Sequence, residues 1–145
     1  MKNVKGFVLV LIPFTGIAWF VFYNGPIALH LFWQIVEGLA LLLGAISIAV
    51  VGWRNLSIFP VPKTGSSLVT AGPYRYIRHP MYTAVIFFCL SLVSNRFSLL
   101  NFAILWVLII DLLIKIHYEE SLLVKSFPGY QQYRSQTKRL LPFLY

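Results

Sequence analysis

Ser98-Leu-Leu-Asn-Phe-Ala-Ile-Leu-Trp-Val-Leu-Ile-Ile-Asp-Leu-Leu-Ile-Lys-Ile-His117 is twenty residues with two charged side chains, Asp111 and Lys115. As a helix it would be about 30 Å long, which matches the hydrocarbon thickness of a bilayer. The rest of the chain has the same character. Of 145 residues, 59% are hydrophobic and 11% charged, where a soluble domain has roughly 45–50% and about 25%. A soluble fold of this size cannot hide that much apolar surface, and a disordered chain requires the opposite composition. An integral membrane protein is the class that remains.

Three more apolar runs cover 6–23, 27–53 and 80–94, beside 98–117. The first, second and fourth are long enough to span. The third is short, so it tilts little, thins the bilayer, or sits behind its neighbours. Lys2 and Lys5 ahead of the first run resemble a signal peptide, but Tyr23-Asn24-Gly25-Pro26 is a turn and not a cleavage site, which predicts an uncleaved span. Of the twelve Lys and Arg residues, eleven fall on one set of alternate segments: the N-terminus, residues 54–80, and Lys115 onward. Arg96 alone falls on the other. The net charge of +8 is therefore a topology signal and not a nucleic-acid footprint. It predicts four transmembrane helices in one all-α domain over 1–145, with both termini and the central loop in the cytoplasm. Ala40-x3-Gly44 and Ala45-x3-Ala49 predict close helix packing in the second run. The lone Cys89 leaves no internal disulfide and no Cys-based zinc site.

Charges inside apolar runs are costly and mark paired or functional groups. Asp111 and Lys115 are spaced i,i+4 with the acid first, the favourable order for an ion pair, and Glu119 continues the stripe. Glu119 and Glu120 are two of only four acids in the chain. Set beside a basic face that attracts anionic headgroups, they suggest a cationic ligand. Glu37 lies deeper in the second run, where protonation, a hydrogen bond and a place on a substrate path are all open.

The central loop carries Leu68-Val-Thr-Ala-Gly-Pro-Tyr-Arg-Tyr-Ile-Arg-His-Pro-Met-Tyr82. Gly72-Pro73 predicts a turn, and Pro80 suits the first turn of a helix. Arg78 and His79 then sit at a helix mouth whose free N–H groups favour an anion. An interfacial belt of aromatic and basic residues explains the composition equally well.

The order of these residues, with Glu119-Glu120, Phe127-Pro128-Gly129-Tyr130-x2-Tyr133 and Leu141-Pro142 downstream, resembles the isoprenylcysteine carboxyl methyltransferase and phospholipid methyltransferase superfamily of integral membrane enzymes. The resemblance covers roughly 52–143. It implies an S-adenosylmethionine site built by the central loop and C-terminal segment on the cytoplasmic side. By position, Leu68 and Val69 contact the cofactor, Tyr74 lines its pocket, and His79, Pro80, Met81 and Tyr82 hold its methionyl part. Glu119 takes its ammonium or ribose, supported by Glu120. Lys115 stands where the family usually has arginine, near the reacting group, and Arg78 is the second candidate catalytic cation. Ala84 stands where the family mostly has glycine, and Pro128-Gly129 where Phe-Gly is usual.

The implied partners are membrane lipids and a lipophilic acceptor such as a prenylcysteine carboxylate or a phospholipid amine; no metal or nucleic acid is implied. The sulfonium is already a good leaving group, so the protein's task is alignment and exclusion of water. An amine acceptor must first lose a proton, for which His79 or Glu120 is placed. Two alternatives stand beside this. A sterol-reductase-like enzyme using NADPH would show Pro-Asn-Tyr followed by Gly-Glu, where this chain has Pro80-Met81-Tyr82-Thr83-Ala84. A non-enzymatic scaffold would give Glu119 and His79 no special role.

Overall fold

The computed structural model describes residues 2–55 and 65–142, without the side chains of residues 2–5, 53 and 54. Within these the chain is all-helical: α1 (Lys2–Asn24), α2 (Leu31–Asn55), α3 (Pro80–Val93), α4 (Leu99–Ser126) and α5 (Tyr130–Gln136). Among the described residues the one β-type contact is an isolated parallel bridge between Ile77 and Lys138. Among the described residues three helices contain stretches long and apolar enough to cross a membrane: Gly6–Asn24, Leu31–Gly52 and Leu99–Ser126. Of the basic residues counted above, Lys63 and the side chains of Lys2, Lys5 and Arg54 lie outside the described part.

The outer faces invert the soluble pattern. Phe22 is 89% exposed and Leu31 72%, as expected where lipid is the solvent. The interior core joins α1, α3 and α4 through Phe20, Cys89, Leu92, Leu105, Leu108 and Leu112. Gly16 permits the close approach of α1 to α4, since a Cβ there would lie 2.9 Å from Leu108 Cδ1.

The fourteen-residue α3 is about 21 Å long, well short of the hydrocarbon core. Half of its residues are buried, and it packs against α1, α2 and α4. It therefore sits behind its neighbours, and its short length needs no exposed polar ends in lipid.

Two of the places where helix boundaries depart from the apolar runs have a visible reason. Residues 27–30 stay outside α2 because side chains take up their backbone groups. Glu37 Oε2 accepts from the Ala28 amide at 2.7 Å, and Gln34 donates to the Ala28 carbonyl at 3.0 Å. Asn95 accepts from the Leu29 amide and donates to the Ile27 carbonyl, both at 2.8 Å. Glu37 is thus a hydrogen-bonded loop anchor in the second turn of α2. At the other boundary, α4 runs nine residues past His117, to Ser126. The predicted ion-pair stripe of Asp111, Lys115 and Glu119 continues in an unbroken helix. Ser98 starts that helix, its hydroxyl accepting from the Asn101 amide at 3.1 Å.

Candidate functional site

The site forms where the central loop meets the end of α4. Gly72-Pro73 opens a 3-10 turn over Gly72–Arg75. Gly72 has φ +57°, and a Cβ there would come within 3.0 Å of Val50 on α2; glycine is needed both for the turn and for the fit. Asn55, the last residue of α2, ties the returning chain by accepting from the Ser67 amide at 2.8 Å.

Residues 76–79 then run beside the C-terminal segment. Lys138 donates its amide to the Tyr76 carbonyl (3.2 Å), and Arg78 and His79 donate theirs to the carbonyls of Lys138 (2.8 Å) and Arg139 (3.0 Å). Thr83 Oγ1 donates to the Leu140 carbonyl at 2.7 Å. The Tyr133 hydroxyl, from α5, donates to the Tyr74 carbonyl at 2.6 Å. Burial pushes the phenols of Tyr74 and Tyr130 well above their ordinary range and Tyr133 up to about 12. All three phenols are neutral at pH 7, and that of Tyr133 makes the hydrogen bond.

The helix mouth offers fewer anion-binding donors than the sequence suggested. Pro80 has no N–H, and the amides of Tyr82 and Thr83 both bond the His79 carbonyl at 3.1 Å. Two of its three amides are thus satisfied internally, which leaves the Met81 amide and the side chains to meet an anion at this position.

The two adjacent acids of α4 do different work, because neighbours on a helix point about 100° apart. Glu119 faces α3: Tyr82 donates to its Oε1 at 2.6 Å, and His79 Nδ1 lies 3.7 Å from Oε2. Glu120 is buried among cations. Arg78 Nε donates to its Oε1 at 2.7 Å and Arg139 Nε to its Oε2 at 3.2 Å, with His79 Nε2 at 3.5 Å and Arg134 Nε at 4.0 Å. The Arg78 Nη1 group also bonds the carbonyls of Arg134 and Thr137. Arg78 is thus a fork joining the helix mouth, α4 and the C-terminal segment. His79 stacks on Tyr82 with ring centroids 5.5 Å apart, and the Lys115 ammonium lies 5.2 Å from the centre of the Tyr82 ring.

These groups border one cavity of about 740 Å³. Its polar end is Tyr74, Arg78, His79, Tyr82, Lys115 and Glu119, and Met81 is on its wall. Its apolar part is formed by Pro13, Phe14 and Ile17 of α1, Ala40, Gly44, Ala45 and Ile48 of α2, and Ala84, Val85 and Phe88 of α3. His79, Met81, Tyr82 and Glu119, the last thirty-seven or more positions from the others, therefore share one chamber. Leu68 and Val69 are half-buried and do not line it. Pro80 is buried at the first position of α3, and Glu120 lies behind the wall.

Several contributors carried no motif. Asn55 and the α1 residues are cavity walls without a local signal. Arg134, Thr137 and Arg139 sit in a segment that reads only as basic and polar. Among the described residues no cluster of three or more His, Cys, Asp or Glu side chains is placed to hold a metal ion.

Residues 32–129, which take in nearly all of α2 and the whole of α3 and α4, match the family model described as phospholipid methyltransferase. The chain is also similar to the cobalt-zinc-cadmium resistance protein CzcN of Cupriavidus metallidurans, with 31% identity over 118 residues, covering 75% of this chain. It spans about half of that relative's length (52%). With two-thirds of the sequence matched and the matched helices forming most of the cavity wall, the chain belongs to the phospholipid methyltransferase family of the isoprenylcysteine carboxyl methyltransferase superfamily of membrane methyltransferases.

Proposed function

We infer that this protein transfers a methyl group from S-adenosylmethionine to a lipophilic acceptor, with the polar end of the cavity facing the cytoplasm. In this reading α3 is a fourth membrane-crossing helix and both termini are cytoplasmic, as the eleven-to-one distribution of basic residues favours.

The observation that carries the inference is the continuity of the cavity. A charged, hydrogen-bonding end opens without a partition into a chamber walled by apolar side chains of α1, α2 and α3. A purely polar ligand would need only the first part, and a lipid only the second. A reaction between a charged nucleotide and a lipophile needs both.

The residues fit the cofactor's charges. Glu119, the carboxylate on the wall, suits the ammonium. Lys115 and Arg78 suit the carboxylate, with Arg78 acting mainly to position Glu120 and the C-terminal segment. The His79 ring, with Nδ1 3.7 Å from Glu119 and Nε2 3.5 Å from Glu120, ties the cavity wall to both acids. Tyr74 and Tyr82 give aromatic surface next to a cationic centre. Leu68 and Val69, next to the Asn55–Ser67 tie, flank the site and would touch the cofactor from the loop.

When bound, the cofactor supplies an activated methyl group on a sulfonium. The chain's own contribution is alignment and dryness: the walls hold an acceptor against the polar end and keep water out. Glu120 stays a structural anion within its arginine collar. The proton of an amine acceptor therefore goes to His79, the basic group on the wall closest to α3.

Titration calorimetry on the detergent-solubilised protein tests the cofactor. We expect S-adenosylmethionine to bind, and His79→Ala and Glu119→Ala to abolish binding without loss of fold. Equal binding by wild type and both variants would sink the assignment. Methyl-labelled cofactor given to membranes containing the protein then identifies the acceptor as the labelled lipophile.

A further inference from the structure

The helix α2 does not run straight to its last residue. At Gly52 the backbone takes φ 67° and ψ 163°, a region that residues with side chains avoid. A Cβ at Gly52 would meet nothing within 4 Å, so glycine is needed there for the bend and not for room. Beyond the bend the Asn55 side chain turns back, and its Nδ2 donates to the Val51 carbonyl at 3.2 Å. Its Oδ1 accepts from the Ser67 amide at 2.8 Å, across twelve positions of chain. The Gly72 turn is seated against Val50, where a Cβ would come within 3.0 Å. The bent end of α2 thus holds both limits of the stretch 67–72, which contains Leu68 and Val69. Val51 and Asn55 are also on the cavity wall. Asn55 ends α2, and Leu123, another wall residue, stands one turn past Glu119 on α4. With Tyr74 they border the cavity farthest from its apolar part, which begins at Ala40.

We propose that Asn55 is a positioning residue for the nucleoside end of S-adenosylmethionine, acting through the Ser67 amide, with the Gly52 bend giving it the reach. The proposal rests on the methyl-transfer reading and adds to it the residues that order the nucleoside. With the cofactor's ammonium on Glu119 and its methyl turned to the apolar chamber, the nucleoside lies at the end bordered by Asn55, Tyr74 and Leu123. The half-buried Leu68 and Val69 follow Ser67 directly and give apolar surface for the face of a base. A loop held before its ligand arrives binds more tightly than one the ligand must order, because ordering costs conformational entropy. One asparagine does this here with both halves of its amide: the donor grips α2 and the acceptor grips the loop.

The test combines hydrogen–deuterium exchange and calorimetry on the full chain in detergent. In Asn55→Ala we expect the amides of residues 67–69 to exchange faster with no ligand present. Affinity for S-adenosylmethionine and for methylthioadenosine, which has the nucleoside but no amino-acid end, should fall by the same factor, about tenfold, as for one lost hydrogen bond. Asn55→Asp keeps the acceptor for the Ser67 amide and should restore most of both. Gly52→Ala opposes the bend and gives a loss in the same direction, which keeps the test decisive if Asn55→Ala does not fold. Glu37→Leu loosens the far end of the molecule and should change neither measurement, which separates positioning from lost stability. Glu119→Ala should weaken S-adenosylmethionine and spare methylthioadenosine. Unchanged exchange at 67–69 in Asn55→Ala would overturn the proposal, and so would faster exchange with both affinities intact. A loss for S-adenosylmethionine alone would overturn the assignment to the nucleoside end. A wild type that binds neither ligand would overturn the methyl-transfer reading instead, while the exchange still decides whether Asn55 holds the loop.

Discussion

The hydroxyl of Tyr82 on α3 donates to Glu119 Oε1 on α4 at 2.6 Å, and this bond fixes the carboxylate against the cavity wall. Glu119 sits past the apolar part of α4, and the bond to Tyr82, with His79 beside it, holds it at the ring stack. Tyr82→Phe keeps the ring that stacks on His79 and lies under Lys115, and removes only the bond. We expect about 1 kcal/mol lower stability and weaker S-adenosylmethionine binding by several-fold, measured by thermal unfolding and calorimetry. Unchanged affinity would separate Glu119 from the cofactor.

Arg78→Ala leaves Glu120 buried without its shortest-range partner. Removing one member of a buried ion pair costs about 3–5 kcal/mol, and here the carbonyls of Arg134 and Thr137 also lose their donor. The expected result is a large fall in thermal stability, with the C-terminal segment cleaved by protease well before the helices. Glu120→Gln, which keeps an acceptor for Arg78, should cost less than Arg78→Ala.

Glu37→Leu tests the far end of the molecule. The change removes the acceptor for the buried Ala28 amide, 2.7 Å away, and should lower stability by about 1–3 kcal/mol. Glu37→Gln retains an acceptor oxygen and should lose less. Cofactor binding should be equal in wild type and both variants, since Glu37 is not on the cavity wall.

Gly44 separates the two ends of the cavity functionally. A Cβ there would sit 3.5 Å from Ala84 Cβ, an ordinary contact, so Gly44→Ala should be tolerated. Gly44→Leu puts a branched side chain at the chamber wall. It should depress methylation of a long-chain acceptor by tenfold or more, on the order of one large steric misfit in an apolar pocket. S-adenosylmethionine binding should remain. Loss of both together would place the acceptor elsewhere.

Alkaline titration reads the tyrosine cluster. The Tyr133 phenol has its folded value pushed up to about 12 from an ordinary 10.0 by burial, while the unfolded chain ionises near the ordinary value. Stability is then unaffected below pH 10 and is lost as pH climbs from 10 towards 12. Tyr133→Phe should flatten part of that loss while costing stability at neutral pH, where the bond to the Tyr74 carbonyl is missing. Thermal unfolding as a function of pH, with tyrosine ultraviolet absorbance, measures both.

Membrane class, the main apolar helices, the Gly72-Pro73 turn and Pro80 as the start of α3 were legible in the amino-acid order. Each depends on local quantities: the length of an apolar run, the φ of a glycine, the missing N–H of a proline. The motif from Leu68 to Tyr82 and the pair Glu119-Glu120 also stood out, because acids are scarce in this chain. Only the tertiary structure decided how those parts divide their work. It turned Glu119 to the cavity and Glu120 into an arginine collar, made Arg78 a fork, spent the Tyr82 and Thr83 amides on the His79 carbonyl and left Leu68 and Val69 off the wall. It also drew in Asn55 and one face of α1. Such choices depend on which side chains of distant segments meet, and on buried charges and backbone groups finding partners, which no local pattern encodes.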